Sequence, residues 1–344
     1  MQFQQLAYFV AVAEVRHFTR AAETLGVTQP SLSKQISALE ADLGASLFGR
    51  ARGNITLTPA GEALLPLARR ILADADTARL EVQELAGLRR GRVRLGATPS
   101  LVAGLLADVL RRFHDAYPGI RLLVEEGGSH DLVRELTRGM LDLALVILPV
   151  SGDAPLVTSP VLRENLVVAA PARPGTPRRR SRLRIEDLRD QPLVMFRPGY
   201  DLREATISAC RQAGFEPRFA VEGGEMDAVL RFVEAGLGLA VVPSMVLAGR
   251  PGLRGTPLIV SEPPASAAPV RPADHGAGGR GPSPGLLRTI ALAHRKDVAP
   301  THAARAFQET LEAFLCEAAR DGTLPPGVEN LVVPSPAKDP PLTG

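Results

Sequence analysis

Cysteine is scarce in this chain: Cys210 and Cys316 are the only two among 344 residues, far apart and without a CxxC partner. That spacing excludes a disulfide scaffold and a cysteine-based zinc site, and leaves a thiol sensor as a minor reading, because a lone cysteine is more often simply packed. The six histidines show no metal-ligand spacing, so neither a metal nor a cofactor is expected. No run approaches the roughly 20 apolar residues that a membrane span needs, and no membrane partner is expected. The first residues, MQFQQLAYFVAVAEVRHF, lack a basic leader and a small-residue cleavage site, while Phe3, Leu6, Phe9, Val10 and Ala13 recur at helical spacing. They read as a first helix rather than a secretion signal, which makes a cytoplasmic protein the expectation. No nucleophile, base and orienting acid can be assembled from local sequence, so no catalytic residue is named and enzymatic activity is not expected.

Two motif matches are discounted. Ser31 to Lys34 fits S-x-x-K, but its companion motifs are absent. Gly276, Gly278 and Gly281 fit G-x-G-x-x-G without a strand before or a helix after.

The residues present describe a soluble globular protein, 45% hydrophobic and 22% charged, long enough for two or three domains. The formal charge of +3 suits a polyanion partner without establishing one.

The most informative stretch is His17 to Leu43, two short amphipathic helices around a tight turn. Thr19 and Thr28 are the expected caps, Gly26 ends the first helix, and Pro30 is tolerated in the first turn of the second. Leu32, Ile36 and Leu39 recur at steps of four and three and should face Ala21, Ala22, Leu25 and Val27. That leaves Gln29, Ser31, Lys34 and Gln35 pointing out. A polar, short-sided face of this kind suits a major groove, where amides and hydroxyls read base edges and Lys34 reaches phosphate. Residues Leu47 to Glu62 then read as two short strands with Arg50, Arg52 and Gly53 at their tip, followed by a capped helix: a wing beside a reading helix.

The residues AAETLGVTQPSLSKQISALEADLG, LFGR and LTPAG resemble the LysR-type transcriptional regulators, and the resemblance runs more loosely to about Arg320. It implies double-stranded DNA as a partner, with contacts from Thr28, Gln29, Pro30, Ser31, Ser33, Lys34 and Gln35 and from the wing residues Arg50 and Arg52. The wing departs from the family pattern: Gly53 stands where a second basic residue is usual, and Arg52 lies one position earlier.

From Pro59 to about Leu88 the pattern is one long helix. Leu57, Leu64, Ile71, Ala78 and Leu85 repeat every seven residues, with Ala68, Ala75 and Val82 between them, an a/d seam that should pair with a second subunit. A homodimer or homotetramer is expected, since paired copies can read two half-sites at a fixed spacing. Pro66 should loosen the helix near its start.

Beyond Gly91 strands alternate with helices. Strands are expected at Arg92 to Ala97, Ile120 to Glu125, Leu141 to Ile147, Leu166 to Ala170, Leu193 to Phe196, Phe219 to Glu222, Leu239 to Val242 and Leu287 to His294. Helices are expected at Leu101 to Ala116, Asp131 to Arg138, Leu202 to Gln212, Ala228 to Ala235 and Ala303 to Ala318. This rhythm predicts parallel sheet with crossovers. Two such lobes resemble the periplasmic-binding-protein fold of LysR-type effector domains. The fold class is therefore α/β with an all-α, winged helix-turn-helix amino-terminal domain. The expected division is 1–58 for DNA binding, 59–90 for the linker helix and 91–320 for the effector domain. Within the last, lobe I is about 91–161 and 286–320, lobe II about 162–260, and 261–285 a low-complexity insertion. Residues 321–344 are expected to be a disordered tail. The basic run Arg173 to Arg184 reads as a solvated loop, with a second phosphate contact as the lesser reading.

In such sheets ligands bind beyond the carboxyl ends of strands, where loops lead into helices. Thr98, Pro99 and Ser100 combine hydroxyls with free helix amides, a site for a carboxylate or similar organic anion. Ser129 and Ile147 should line the same cleft, and Phe196 to Asp201 should face them with an aromatic wall and Arg197. The family resemblance places effector contacts in these loops, at Thr98, Ser100, Phe196 and Tyr200. Glu222 and Glu225 complicate a purely anionic ligand and could accept hydrogen bonds from hydroxyl or amine groups. The expected function is sequence-specific transcriptional regulation controlled by a small-molecule effector, with RNA polymerase as a further partner.

Overall fold

The computed structural model describes residues 1–51, 54–85, 91–150, 154–172, 181–259 and 286–333. Its amino-terminal part packs three helices, α1 (Phe3–Val15), α2 (Phe18–Leu25) and α3 (Gln29–Leu43), against a hairpin of β1 (Phe48–Ala51) and β2 (Asn54–Leu57). Leu32, Ile36 and Leu39 share one face of α3 and are fully buried with Leu6, Phe9, Val12, Ala21 and Ala22. Leu25 and Val27 pack at the margin of the same core. Phe48 joins the hairpin to it, its ring 5.4 Å from Phe9 and 5.8 Å from Phe18.

The helix starts differ from expectation. Because α2 begins at Phe18, His17 rather than Thr19 takes the cap, and its ring Nδ1 accepts the Arg20 N–H at 3.4 Å. Thr28 holds the cap position of α3, yet its side chain makes no capping bond. Pro30, the second residue of the helix, removes one of the two N–H groups that a cap oxygen can reach. Gly26 and Gly44 end α2 and α3 in the left-handed conformation, at φ 66° and 67°.

The long helix α4 (Pro59–Leu85) is joined to this unit through Gly61. A Cβ at that position would collide with the carbonyl oxygen of Leu47, so only glycine lets the helix lie this close. The Thr58 hydroxyl accepts the Gly61 N–H at 3.1 Å and donates to the Ser46 carbonyl at 2.6 Å. The expected seam is divided between two environments: Ala68 is buried in the amino-terminal core and Leu64 and Ile71 pack on it, whereas Ala78 and Val82 are exposed. Further along, α4 is clamped to the carboxy-terminal part. The buried Arg295 guanidinium donates to Asp74 at 2.7 Å and to Asp297 at 3.0 Å, and Arg70 also bonds Asp297.

The carboxy-terminal part begins with β3 (Gly91–Ala97), α5 (Pro99–Leu101), a wide π turn (Val102–Leu106), α6 (Ala107–Ala116), β4 (Ile120–Glu126), α7 (Ser129–Thr137), β5 (Leu143–Leu148) and β6 (Leu156–Pro171). It continues with β7 (Leu183–Arg184), β8 (Leu193–Met195), α8 (Asp201–Gln212), β9 (Phe219–Glu222), α9 (Met226–Glu234), β10 (Ala240–Pro243), β11 (Leu253–Ile259), β12 (Leu287–Arg295), α10 (His302–Arg320) and β13 (Val328–Asn330). β3 runs parallel to β4 and β5, as alternating strands and helices require, and β8 runs parallel to β9. The two lobes share β6, which over Leu156–Asn165 pairs antiparallel with β12 around a register shift at Val161 and whose last six residues pair with β10 and β11. The helix α10 returns to the first lobe, where Phe307 meets Phe113 edge-on at 5.4 Å.

Three strands were not foreseen: β7, which pairs parallel with β11 at the end of the basic run expected to be a solvated loop, β11 and β13. β11 is disguised by Gly255 and Pro257, and β13 lies in the segment expected to be a disordered tail. That expectation is corrected for residues 321–333: Leu324, Val328 and Val332 pack on the main core, Asn165 N–H donates to the Gly327 carbonyl at 2.8 Å, and Leu331 N–H to the Val161 carbonyl at 2.9 Å. Leu324, Val328 and Val332, at every fourth position, give the segment a half-buried apolar edge that its prolines concealed. The insertion 261–285, residues 334–344 and most of the basic run 173–184 lie outside the described residues.

Candidate functional site

The outward face of α3 follows directly from its inward one. With Leu32, Ile36 and Leu39 buried, Thr28, Gln29, Pro30, Ser31 and Lys34 are exposed, most of them in the first turn, where the α-helix presents unpaired N–H groups. Ser33 and Gln35 are half-buried. Gln35 is turned partly inward, its Oε1 accepting from Gln5 Nε2 at 3.4 Å, so it is a weaker base reader than its neighbours. The hairpin is held beside the carboxyl end of α3 by Glu40, whose Oε1 accepts the N–H groups of Leu47 at 2.7 Å and Phe48 at 3.3 Å. Its role is absent from the motif reading, because helical spacing shows which face a residue occupies and not what its carboxylate meets. Arg50 lies in β1 opposite Ile55, and Arg52 lies outside the described residues.

The second group of residues lies in the loops between strands and helices of both lobes. Thr98 precedes α5 and Pro99 and Ser100 lie within it; all three are buried, and the Thr98 and Ser100 hydroxyls stand 3.3 Å apart. Ser129 opens α7 and is bonded three ways. Its N–H and Oγ both donate to Asp201 Oδ2, at 3.1 and 2.7 Å, and its Oγ accepts the N–H of Ile147 at 2.9 Å. Asp201 is the first residue of α8 in the other lobe, so this is a direct bond across the cleft. The loops touch at the same place, where a Cβ on Gly128 would stand 2.8 Å from the Gly199 carbonyl oxygen.

The aromatic wall is a stacked pair. Phe196 and Tyr200 lie 4.5 Å apart at 11°, and both are buried. The Tyr200 hydroxyl is buried without a hydrogen-bond partner; burial, reinforced by the Glu225 carboxylate, pushes its phenol above the ordinary tyrosine range. Glu222 accepts from Arg203 at 2.8 Å, while Arg203 also donates to the Phe196 carbonyl at 2.9 Å. Arg197 is paired with Glu225. The carboxylates that complicated an anionic ligand are thus each matched by an arginine of their own lobe.

Beneath this region the Arg288 Nε donates to Glu164 Oε1 at 2.6 Å, in a buried pair between β12 and β6. Glu164 Oε2 and the Ser244 hydroxyl are buried without partners. Burial pushes the Glu164 carboxyl up, against the pull of Arg288. From sequence Asp201 was only the end of the Phe196 to Asp201 loop, and the buried pair was not named. Among the described residues no group of three or more His, Cys, Asp or Glu side chains could hold a metal ion, and no helix is long and apolar enough to cross a membrane.

Comparison with known proteins matches two family models, the bacterial regulatory helix-turn-helix protein of the lysR family over residues 3–62 and the LysR substrate binding domain over residues 86–280. The transcriptional dual regulator GltC of Bacillus subtilis is 34% identical over 249 residues, covering 72% of this chain and 82% of its own. A probable hydrogen peroxide-inducible genes activator of Streptomyces viridosporus is 35% identical over 325 residues, covering 92% of this chain and 94% of its own. Among solved structures, a full-length OxyR variant from Pseudomonas aeruginosa aligns with TM-score 0.65 at 26% identity, covering 91% of this chain and 95% of its own. Full-length CbnR in complex with its target DNA aligns with TM-score 0.63 at 26% identity, covering 91% and 99%.

Proposed function

The chain belongs to the LysR-type transcriptional regulators, DNA-binding proteins controlled by an effector-binding domain, and from that premise we propose which of its residues read DNA and which meet the effector. The observation that carries the proposal is the division of α3: a fully buried Leu32, Ile36 and Leu39 stripe behind an exposed Gln29, Ser31 and Lys34 face. In this reading Gln29 and Ser31 contact base edges, Thr28, Pro30 and Ser33 line the groove, Lys34 neutralises phosphate, Gln35 assists from the margin, and Arg50 and Arg52 reach the backbone beside the groove.

The remaining assignments extend it. Residues 1–58 read DNA, 59–90 carry the dimer contact and 91–320 take the effector. Dimerisation, or pairing of dimers into a tetramer, uses the outward half of the α4 seam at Ala78 and Val82, because its inner half is spent within the chain. The effector, an organic anion, is met by Thr98, Pro99, Ser100, Ser129 and Ile147 from one lobe and by Phe196, Tyr200 and Glu222 from the other. Ligand binding changes transcription only if it favours one lobe arrangement over another. RNA polymerase is the further partner, the cytoplasm the location, and the protein acts without catalysis.

The printed names of some relatives mention hydrogen peroxide. Cys210 does not support that chemistry, because it is fully buried and burial pushes its thiol up to about 11. A peroxide-reactive cysteine is exposed and low in pKa.

The test is binding to fragments of the chain's own upstream region at low salt. Sequence-selective retention that Gln29→Ala or Ser31→Ala redirects to other sites supports the assignment. Failure of the intact protein to retain any fragment refutes it.

A further inference from the structure

We propose that Asp201 is a built-in ligand: without effector, its carboxylate fills the anion subsite at the start of α7 and holds the lobes together, and a carboxylate-bearing effector enters by taking its place. The inference rests on reading the interlobe cleft as the effector site.

The residue before α7 is Gly128, which has no side chain to cap the helix. The cap comes instead from the other lobe, where one oxygen of Asp201 accepts both the N–H and the hydroxyl of Ser129. The hydroxyl has a single proton, and because it accepts from Ile147 N–H at 2.9 Å its orientation is fixed toward Asp201. Two donors aimed at one carboxylate oxygen form an oxyanion subsite that already holds an oxyanion.

An independent observation marks the neighbourhood as a place for a ligand. Tyr200, adjacent to Asp201 in the chain, is only 4% exposed, and its hydroxyl has no partner. It lies within the electrostatic reach of Glu126 in one lobe and Glu225 in the other. A buried hydroxyl left unpaired is costly and calls for an acceptor. Asp201 is bonded to Ser129 and does not serve it. A second carboxylate beside Asp201 would bring like charges together, so an acidic effector exchanges with Asp201 rather than joining it. Once Asp201 is released, the Ser129 donors hold the incoming carboxylate and the Tyr200 hydroxyl can donate to it.

The test uses the full chain, sodium acetate as the probe and acetamide as its neutral counterpart, at constant ionic strength. Asp201→Ala should lower Tm by about 2–4 °C. Millimolar acetate should restore that loss, acetamide should not, and neither should move the wild type. Because Asp201 also begins α8, Asp201→Ser, which keeps a good helix-start residue, should show the same acetate-specific recovery. Adding Ser129→Ala should abolish it. Acetate that stabilises wild type and variants alike, or recovers neither variant, overturns the proposal. DNA retention by Asp201→Ala separates the two readings: recovery by acetate with DNA affinity unchanged keeps the built-in ligand and refutes coupling of the cleft to DNA. Normal acetate-responsive DNA binding without thermal recovery does the reverse.

Discussion

The reading face of α3 and the interlobe cleft are built from similar side chains, hydroxyls, amides and a few charges, but treat them in opposite ways. On α3 the polar groups are exposed above a sealed apolar stripe. In the cleft Ser129 and Tyr200 are buried and Ser129 is bonded to Asp201, while the exposed carboxylates of Glu222 and Glu225 are paired with Arg203 and Arg197. A face whose partner always comes from outside can be left unsatisfied in water at little cost. A buried group is different, because leaving it unmet costs far more than the bond itself gains, and in the cleft the Tyr200 hydroxyl bears that cost. Recognition on α3 is therefore addition, and recognition in the cleft is exchange.

Four substitutions would sharpen or break that contrast. The largest expected effect is at the buried pair, where Glu164→Ala leaves the Arg288 charge unpartnered and should lower unfolding stability by about 3–5 kcal/mol in denaturant titration. Replacing both members with apolar residues of similar volume should recover most of it, and a loss as large as the single variant would show that the pair does more than balance charge. On α3, Gln29→Ala should cost about 1–3 kcal/mol at preferred sites and nothing at random DNA, while leaving stability unchanged within about 0.5 kcal/mol. Lys34→Ala should weaken all DNA equally and reduce the slope of log affinity against log salt by about one. If Lys34→Ala instead alters site choice, the division of labour on the helix is wrong. The smallest effect concerns pH. The folded Glu164 carboxyl lies above its ordinary value because of burial, so the folded state binds its proton more tightly than the unfolded chain does. Its contribution is full below the unfolded value of about 4.3 and is lost as pH rises through the folded one. Glu164→Gln should flatten stability against pH in that window, read as Tm at constant salt.

The same contrast explains what was legible in the residues alone. α2, α3 and the turn at Gly26 could be read because the evidence for them is local: apolar residues three and four apart, a glycine at the end, a proline in a permitted turn. Leu32, Ile36 and Leu39 are buried as that spacing requires. The loops of the proposed cleft could be placed because they follow strands and precede helices, and the loops that carry Ser129 and Tyr200 do meet, through the bond from Ser129 to Asp201. What meets what in the cleft could not be read. Ser129 and Asp201 are 72 positions apart, and Glu164 and Arg288 are 124 apart, beyond the range of any periodicity. Thr19 was misread as a cap because threonine suits that role in general, while the cap and the helix start in fact lie two residues earlier, at His17 and Phe18. The tail was misread because prolines outweighed the spacing of Leu324, Val328 and Val332. Gly61 was quoted in a motif, but its reason, the Leu47 carbonyl pressed against the helix, appears only when the chain is folded.

That close approach at Gly61 makes the reading head and the start of α4 a single stiff body, while the ion network at Asp74 pins the same helix farther along. The intervening segment, Pro59 to Asp74, is about 22 Å long. It acts as a lever arm, and pivoting it by about 9° would carry the head sideways by about 3.4 Å, the rise of one base pair. In the proposed reading, a rotation of that size is enough to change which base step the helix stands over.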